Sequence, residues 1–581
     1  MKVSEYIARI LEKMNIEHFF AMPGDYNFPL LDAIVARKKL KSVYCSNELN
    51  MAYMADGYAR YNGFAAFSTI ALVGALSAVN GVAGSFAERV PVLHIAGGPR
   101  RIYAIKRRTT HHQLGNSNYT PAVEIYKPIT IYSNIVDSAT DIPKELNKAI
   151  SLILRHRKPA YLEVPVDILT EEISPPIIQT PLAMPPGLPS INLIRTLIQK
   201  INKAKYPMFI IGSQAHNSND KKTLKLARKL LNKAKFPVAC LSSGKGSISE
   251  ESSLYVGLYW STISSPGVLN LVKKSDMIIY LGSPFNDFNT TGYTEKNIFG
   301  QTLQIEMDKI VFNGDTYELN YMDKLLEYFI KYVKPNKSLF KYYKKPHPKP
   351  DNVNMENKLT AKTLQAICNK HVNSNIDVFI DAGSSWFLGL FLKLVTGTTF
   401  HIMYMYASMG WGLPSSCGYA LASPSNRQFM LFVGDGASSE TIQTISTMIR
   451  YKVKGIIVFI TNTVYALENA IRGEDVIYND IAQWDYTKVF EFFDREKTGN
   501  TKLFNIFTNQ DMNDALEETK KNESLYFLNC NLKRDDVLEQ ALIWGKALEK
   551  RDLTLSLHSI QSKTQKIKPS RKKRNKTKKL R

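Results

Sequence analysis

Acidic and amide side chains follow two consecutive apolar segments in the last third of the chain. The segment Phe429–Val433 has the composition of a buried strand and is followed at once by Gly434-Asp435-Gly436. A helical pattern comes next, and a second predicted strand, Ile456–Ile460, ends two residues before Asn462. Because the carboxyl ends of parallel strands meet at one edge of a sheet, Asp435 and Asn462 are expected to lie close together. Oxygen ligands of this kind hold Mg²⁺ in concert with substrate phosphates.

The two glycines of this motif favour the same chemistry. A glycine lets the backbone approach a diphosphate closely, and a helix that begins after the motif presents its amide groups to an anion. The alternative is an ordinary turn, since Gly-Asp-Gly is common at strand ends. The order strand, Gly-Asp-Gly, helix and strand, with Asn462 at 27 positions after Asp435, favours a metal and diphosphate site.

The elements that must position this site alternate along most of the chain. Apolar strand patterns such as His18–Met22, Met208–Ile211 and Ile278–Leu281 alternate with amphipathic helices. This alternation predicts an α/β fold whose parallel sheets carry helices on both faces, and ligands bind beyond the carboxyl ends of their strands. Pro-rich and Lys-rich segments suggest the boundaries: domains at 1–175, 190–330 and 356–550, a basic linker at 331–355 and a basic tail at 551–581.

The net charge of +23 in 581 residues is unevenly distributed. Eleven basic residues and no acidic ones lie in 563–581, and seven basic residues without an acid lie in 331–350. The remainder of the chain carries only +5, so a basic binding face on the folded body is not indicated. Lysine-rich ends of this kind are typical of disordered, solvated tails. The alternatives for the tail are a nuclear address or binding to nucleic acid.

Other features of the composition argue for a soluble protein of a reducing compartment. The five cysteines are widely spaced and form no CxxC pair, which argues against a disulfide scaffold and a thiolate zinc site. The N-terminal segment 1–14 is charged and amphipathic, unlike a signal peptide. No uncharged apolar stretch is long enough to span a bilayer. We therefore expect a cytoplasmic protein without a membrane partner.

The motif around Asp435 is one of several collinear stretches that resemble the pyruvate decarboxylase family of thiamine-diphosphate enzymes. The resemblance extends over about residues 1–550. The matching stretches are MPGDYNFPLLDAI (22–34), NELNMAYMADGYAR (47–60), HHQLGNSNY (111–119), GKGSISE (244–250), DFNTTG (287–292), TIQTISTMIR (441–450), YALE (465–468) and YNDIAQWDY (478–486). The resemblance implies three doubly wound domains of the thiamine-diphosphate-binding fold.

The same resemblance implies thiamine diphosphate and Mg²⁺ as cofactors, because decarboxylation of a 2-oxo acid requires an electron sink that side chains lack. It assigns the metal to Asp435, Asn462 and the backbone carbonyl of Val464. It assigns Met409 to the space between the two cofactor rings, although a core methionine is the alternative. The residues implied in cofactor binding are Glu48, Ser384, Met409, Gly434, Asp435, Gly436 and Asn462.

The catalytic set implied by the family is Asp25, Glu48, His111, His112 and Glu468. Glu48 is expected to protonate or hydrogen-bond the aminopyrimidine ring; its alternative is a helix-starting glutamate stabilised by the helix dipole. The other four are expected to transfer protons around the intermediate and the aldehyde product. Singly, each is compatible with a turn or a solvated surface, but together they favour catalysis. The substrate pocket is predicted to contain Trp386, Leu467 and Ile471.

The predicted activity is non-oxidative decarboxylation of pyruvate to acetaldehyde and CO₂, in sites shared between two subunits of a dimer or tetramer. The alternatives are a decarboxylase of bulkier acids such as indolepyruvate or phenylpyruvate, and a weakly active relative whose basic tail binds nucleic acid. The sequence departs from the family pattern at Ala75, Ala437 and Val464. A valine in place of glycine at 464 predicts backbone strain if φ is positive there. These departures predict reduced cofactor affinity or altered substrate choice.

Overall fold

The computed structural model describes residues 1–174, 189–216, 221–293, 302–319, 322–346, 352–473 and 475–549. They form three sheets in chain order, of six, seven and six strands. This arrangement confirms the expected α/β fold with a largely parallel sheet in each domain. The Pro-rich segment after residue 174 and the basic tail after residue 549 lie outside the described residues.

The first sheet is entirely parallel and has the strand order β2-β1-β3-β4-β6-β5. Its strands are β1 (His18–Ala21), β2 (Lys41–Tyr44), β3 (Ala65–Ile70), β4 (Val92–Gly98), β5 (Tyr132–Ile135) and β6 (Ala160–Pro165). Its helices are α1 (Val3–Lys13), α2 (Phe28–Val35), α3 (Glu48–Asn62), α4 (Val73–Ala87), α5 (Arg101–Ile105), α6 (Pro121–Tyr126), α7 (Ile142–His156) and α8 (Val166–Thr170).

The central sheet has the order β13-β12-β11-β10-β7-β8-β9, with two antiparallel strands at one edge. Its strands are β7 (Pro207–Ile211), β8 (Val238–Cys240), β9 (Tyr255–Leu258), β10 (Met277–Leu281), β11 (Thr302–Ile305), β12 (Lys309–Phe312) and β13 (Asp315–Glu318). Its helices are α9 (Ile191–Lys203), α10 (Ser213–His216), α11 (Lys221–Ala234), α12 (Val268–Lys274) and α13 (Met322–Tyr332).

The third sheet is parallel throughout and has the order β15-β14-β16-β17-β19-β18. Its strands are β14 (Ile376–Ile380), β15 (Thr399–Ile402), β16 (Gln428–Gly434), β17 (Gly455–Thr461), β18 (Thr501–Ile506) and β19 (Leu525–Asn531). Its helices are α14 (Ala361–His371), α15 (Ser385–Leu390), α16 (Gly412–Ala422), α17 (Asp435–Ser438), α18 (Thr444–Arg450), α19 (Ala466–Arg472), α20 (Val489–Phe493) and α21 (Asn509–Thr519), followed by a last helix at residues 539–549.

Strands β16 and β17 lie at the centre of the third sheet, and they account for the position of the predicted metal site. Both are apolar and buried on both faces, as parallel strands covered by helices must be. They pair in parallel, with Gly434 opposite Ile460. Asp435 and Asn462 therefore leave the same edge of the sheet on adjacent strands, as the spacing predicts.

Helices α3 and α16 hold the first and third domains of one chain together through close backbone contact. A Cβ atom on Gly57 would lie 1.9 Å from the backbone oxygen of Ser415, and one on Gly418 would lie 1.9 Å from that of Met54. Since no other residue fits at either position, this pair of glycines permits the helices to pack at backbone distance. The packing fixes the orientation of α3, at whose first position Glu48 lies.

The basic segment after α13 differs from the expected exposed linker. Residues 331–346 pack along the central domain, where the Leu339 side chain is fully buried. The amide of Asn336 donates to the carbonyl of Ala234, and the Tyr343 hydroxyl donates to the carbonyl of Val256. Its lysines are exposed, so the charge pattern correctly indicated a solvated face but missed the buried leucine beneath it.

Two expectations about the whole chain can be compared with the described residues. All five cysteines are buried free thiols, as their spacing suggested. Among the helices in the part of the chain that the structure describes, none is both long and apolar enough to cross a membrane.

A buried carboxyl group in the first sheet makes stability depend on pH. Burial raises the pKa of Glu163 from 4.5 to about 7, although the Tyr161 hydroxyl donates to its carboxylate at 3.1 Å. Between these two pKa values the native protein binds more protons than the unfolded chain, so the free energy of unfolding falls as pH rises through this window. Replacing Glu163 with glutamine removes that dependence. Between pH 4 and pH 8, we expect the free energy of unfolding of the variant to rise by up to about 3 kcal/mol relative to that of the wild type.

Melting temperatures of the two proteins at pH 4, 6 and 8 measure this effect. Any constant cost of the amide cancels when the difference between variant and wild type is followed with pH. A difference that does not change with pH would contradict the assignment of the raised pKa to Glu163.

Candidate active site

The two predicted metal ligands lie side by side where β16 and β17 end. Asp435 is buried, and its carboxylate accepts hydrogen bonds from the backbone amides of Gly436 (3.0 Å), Asn462 (3.1 Å) and Thr463 (2.7 Å). Burial raises the pKa of Asp435, and only backbone amides act in the opposite direction. Among the described residues no basic side chain balances the charge of this buried carboxylate, which therefore has the electrostatics of a cation ligand.

The loop that follows β17 adopts an unusual backbone conformation at one residue. We call residues 461–465 the metal loop. The positive φ of this loop falls on Thr463, at 63°, whereas Val464 is not among the residues with positive φ. The expectation of strain at Val464 is therefore wrong. Val464 instead pairs with Asp480 in an isolated antiparallel bridge.

The third domain brings its predicted site residues together around one cavity of about 200 Å³. The cavity opens at the carboxyl edge of the sheet, where a doubly wound fold binds its ligands. Its lining includes all eleven site residues predicted from this domain: Ser384, Trp386, Met409, Gly434, Asp435, Gly436, Asn462, Val464, Leu467, Glu468 and Ile471. None of its lining residues comes from the first domain.

Aromatic side chains from three parts of the chain form a cluster beside this cavity. Trp386 and Trp544 both line it, and Trp544 belongs to the last helix. Phe288, from the central domain, packs against both rings at centroid distances of 4.4 and 4.7 Å. Sequence reasoning identified Trp386 but missed the other two: Trp544 carries no local motif, and the DFNTTG match that contains Phe288 assigned it no role.

The predicted acid–base residues of the first domain form a separate exposed cluster. His111 Nε2 lies 3.0 Å from an Asp25 carboxylate oxygen, and the rings of His111 and His112 are 4.4 Å apart. The Tyr26 hydroxyl lies 3.4 Å from His111 Nδ1. The side chains of Asp25 and His111 are 47% and 60% exposed. The structure thus brings three of the predicted groups together. None of these three side chains is among the described residues that line the cavity of the third domain.

Glu48 begins α3, with Asn47 as its N-cap: the amide of Asn50 donates to the Asn47 side chain at 2.8 Å. A Cβ atom on Gly74 would lie 3.2 Å from Glu48 Oε1, so a larger residue there would crowd the carboxylate. Burial raises the pKa of Glu48 above its ordinary value. A raised pKa favours the protonated carboxyl group, which can share its proton with a ring nitrogen.

Side chains of the first domain also anchor the loop that carries Met409. We call residues 403–411 the Met409 loop. The Tyr53 hydroxyl donates to Ser408 Oγ at 2.7 Å, and the Tyr406 hydroxyl donates to Asn80 at 2.7 Å. The Glu88 carboxylate accepts from the amide of Tyr406 at 3.2 Å, and burial raises the pKa of Glu88 to about 7. Sequence reasoning missed these anchors, which join residues more than 300 positions apart.

The fold and this site define an α/β enzyme that binds a diphosphate cofactor at the carboxyl edge of a parallel sheet. Three family models match the chain: the N-terminal thiamine pyrophosphate binding domain at residues 1–118, the central domain at 194–320 and the C-terminal thiamine pyrophosphate binding domain at 381–530.

Curated relatives align with nearly the whole chain. A pyruvate decarboxylase of Neurospora crassa is 31% identical over 94% of this chain and 95% of its own length. A probable pyruvate decarboxylase of Schizosaccharomyces pombe is 30% identical over 94% and 95%, and pyruvate decarboxylase 1 of Arabidopsis thaliana is 30% identical over 94% and 90%. The chain therefore belongs to the thiamine-diphosphate-dependent 2-oxo acid decarboxylases, the carboxy-lyase family that includes the pyruvate decarboxylases.

The residues at the cavity fit the diphosphate end of this cofactor. Space is open where a Cβ atom of Gly434 would point, so its backbone can be approached closely. A Cβ atom on Gly436 would instead lie 2.4 Å from the Tyr465 ring, which excludes a side chain there. With the buried, uncompensated Asp435 beside them, these glycines form a cradle for a metal-bound diphosphate. The cofactor confirmed by the family is thiamine diphosphate with a divalent metal.

Proposed function

We propose that the protein converts pyruvate, with uptake of one proton, into acetaldehyde and CO₂, and that it requires Mg²⁺. The observation that carries the proposal is the cavity at the carboxyl edge of the third sheet, which is lined by Trp386 and Trp544, with Phe288 packed against both rings. Two large rings in the cavity wall, held by contact with a third, favour a substrate with a methyl group over one with an aromatic side chain. Pyruvate is the smallest 2-oxo acid with a carbon side chain.

Each group around the cavity has a proposed role in holding the cofactor. Asp435, Asn462 and the carbonyl of Val464 bind Mg²⁺, and the backbone at Gly434 and Gly436 binds the diphosphate. Ser384 contributes a hydroxyl at the cavity wall, and Met409 separates the two rings of the cofactor. When bound, thiamine diphosphate supplies the electron sink that decarboxylation requires.

The protons of the reaction are assigned to side chains of the chain itself. Glu48 holds a proton at the pyrimidine end of the cofactor, consistent with its raised pKa. Asp25, His111, His112 and Glu468 deliver the proton that replaces CO₂ and assist release of the aldehyde. The 3.0 Å contact between Asp25 and His111 allows these two groups to share a proton.

We further propose that a second copy of the chain completes each active site. Glu468 lines the cavity, whereas the acid–base cluster of the first domain is exposed and absent from its lining. Large apolar side chains also lie exposed on the segment that follows α19, with Ile477 at 85% and Tyr478 at 69%. A dimer that covers this segment and brings the two halves together is the smallest functional unit, and a tetramer made of two such dimers is compatible with it.

The substrate assignment is tested by steady-state assays with pyruvate, phenylpyruvate and indolepyruvate in the presence of thiamine diphosphate and Mg²⁺. We expect the highest kcat/KM with pyruvate. Trp386→Ala should raise the ratio of kcat/KM for phenylpyruvate to kcat/KM for pyruvate by at least about tenfold, because it removes one wall of the pocket. Phe507→Ala, which removes an exposed ring of the same domain, is the control.

Several outcomes would contradict this assignment. A wild-type enzyme that turns over phenylpyruvate much faster than pyruvate would establish the bulkier-acid alternative. Full activity after removal of divalent metal by chelation would contradict the proposed role of Mg²⁺. No decarboxylation with any 2-oxo acid at saturating cofactor would favour the weakly active relative, whose basic tail remains a predicted site for nucleic acid. The cytoplasmic location likewise remains a prediction.

A further inference from the structure

Thr463 adopts a backbone conformation that its side chain disfavours. Its φ of 63° lies in the left-handed region, where a β-branched residue is rare because its Cβ atom crowds the backbone. Thr463 lies between Asn462 and Val464, so this conformation determines how the metal loop presents both ligands. Such a conformation persists only where surrounding contacts hold it.

Arg534 supplies contacts of this kind from a distant part of the chain. Its Nη1 atom donates to the Thr463 carbonyl at 3.3 Å and to Thr463 Oγ1 at 3.5 Å. The same carbonyl also accepts from the amide of Ile481 at 3.1 Å. Arg534 follows β19, whose end lies beside the end of β17, so a side chain from there can reach across to the metal loop.

The guanidinium group of Arg534 is itself fixed by two carboxylates. Nε and Nη2 donate to the two oxygens of Asp475 at 3.2 and 2.9 Å, and Nη2 donates to Asp480 at 2.6 Å. Asp480 lies opposite Val464 in the isolated bridge. A planar guanidinium group that is bound by two carboxylates has little rotational freedom, so its contact with Thr463 is directional.

The Asp475 carboxylate also connects Arg534 to α19, the helix that carries Leu467, Glu468 and Ile471. The side-chain amide of Asn469 in α19 donates to Asp475 at 2.8 Å. Asn479 in turn donates to Asn469 at 2.6 Å, and the amide of Tyr465 donates to the carbonyl of Asn479. Arg534 therefore lies at the centre of a network that joins the metal loop, α19 and the segment 475–480.

Burial distinguishes this network from one that stabilises the whole fold. The side chains of Arg534, Asp475 and Asp480 are 39%, 59% and 49% exposed. Ion pairs with this exposure contribute little to global stability. Their effect is therefore expected on the local geometry of the metal loop and not on unfolding of the domain.

We propose that Arg534 is a positioning residue for the metal and diphosphate site, which it serves by holding Thr463 in its left-handed conformation. The inference rests on the proposed function, because it assumes that Asn462 and Val464 bind Mg²⁺. Arg534 touches neither the metal nor the substrate in this arrangement. By holding Thr463, Arg534 determines how Asn462 and Val464 are oriented towards Asp435.

The test is a double-mutant cycle on the full chain, stripped of cofactor and titrated with thiamine diphosphate at fixed Mg²⁺. Fluorescence of Trp386 and Trp544, which line the cavity, reports binding. We expect Arg534→Ala to raise the Kd about 10- to 100-fold, as loss of a residue behind a metal ligand typically does. In Thr463→Gly, the left-handed conformation is no longer disfavoured. The same arginine substitution should therefore raise the Kd by less than about threefold in that background.

Melting temperatures and a matched control separate positioning from stability. Arg37 is 31% exposed, pairs with Glu12 in the first domain and lies outside the site. We expect Arg37→Ala and Arg534→Ala to change the melting temperature of the cofactor-free protein similarly, by no more than about 2 °C. Only Arg534→Ala should raise the Kd.

An unchanged Kd in Arg534→Ala would overturn the proposal, as would an equal loss of affinity with and without Thr463→Gly. Either result would leave the proposed function intact, provided that the wild type binds thiamine diphosphate with Mg²⁺. A wild type that binds thiamine diphosphate equally well without Mg²⁺ would overturn both.

Discussion

Replacing Glu48 with glutamine is expected to lower kcat for 2-oxo acid decarboxylation by about 100- to 10 000-fold. Glutamine keeps the size of the side chain and its hydrogen-bond acceptor, and α3 begins with the same N-cap. It lacks the proton that a carboxyl group with a raised pKa can share with the pyrimidine ring. The loss should therefore fall on the chemical step and leave cofactor affinity within about tenfold of the wild type.

Two measurements check this result together. One is kcat with pyruvate at saturating thiamine diphosphate and Mg²⁺, and the other is the rate at which the thiazolium C2 proton of the bound cofactor exchanges with deuterium. Glu163→Gln is the matched control, because Glu163 is also a glutamate of the first domain with a pKa raised by burial but lies within the sheet. We expect the control to retain activity. A Glu48→Gln enzyme with unchanged kcat and unchanged exchange would contradict the role of Glu48.

The parts of the fold that the sequence predicted are those with a strong local pattern. The apolar runs of β16 and β17 leave few alternatives to buried parallel strands, and the residues at their ends follow directly. The contact between Gly57 and Ser415 has no such pattern, because it depends on two helices separated by more than 300 residues. Leu339 was missed for a related reason: one buried leucine among lysines does not alter a charged pattern.

The residues of the candidate site also divide into those with a local sequence pattern and those without one. Its third-domain residues follow strands or begin helices of one sheet, so motif and topology together predicted that they would line one cavity. Phe288, Trp544 and Glu88 make contacts across domains, and no motif assigned any of them to the site. Thr463 illustrates a further limit: sequence can identify a departure from glycine, but only the backbone reveals which residue adopts the positive φ.

Replacing Asp435 with asparagine is expected to raise the dissociation constant for Mg²⁺ at least 100-fold and to abolish decarboxylation at submillimolar metal. The side-chain amide of asparagine retains an oxygen that can accept from the backbone amides of Asn462 and Thr463, so these two hydrogen bonds can persist. It carries no negative charge, and Mg²⁺ depends on one or two carboxylates from the protein. No basic side chain among the described residues offsets the effect of burial on the pKa of this carboxylate, which supports its proposed role as a metal ligand.

Asp381 offers the matched control, because it is equally buried at the same edge of the sheet. Its carboxylate accepts from the amides of Ala382 at 2.7 Å and Gly412 at 2.8 Å, and burial raises its pKa to about 7. Unlike Asp435, it does not line the cavity. Binding of Mg²⁺, measured by calorimetry in the presence of thiamine diphosphate, should be lost in Asp435→Asn and retained in Asp381→Asn. If both variants lose metal binding equally, the effect belongs to any buried carboxylate at this edge, and Asp435 is not the ligand. If only Asp435→Asn loses it, the charge at the end of β16 is the group that holds the diphosphate in place through its metal.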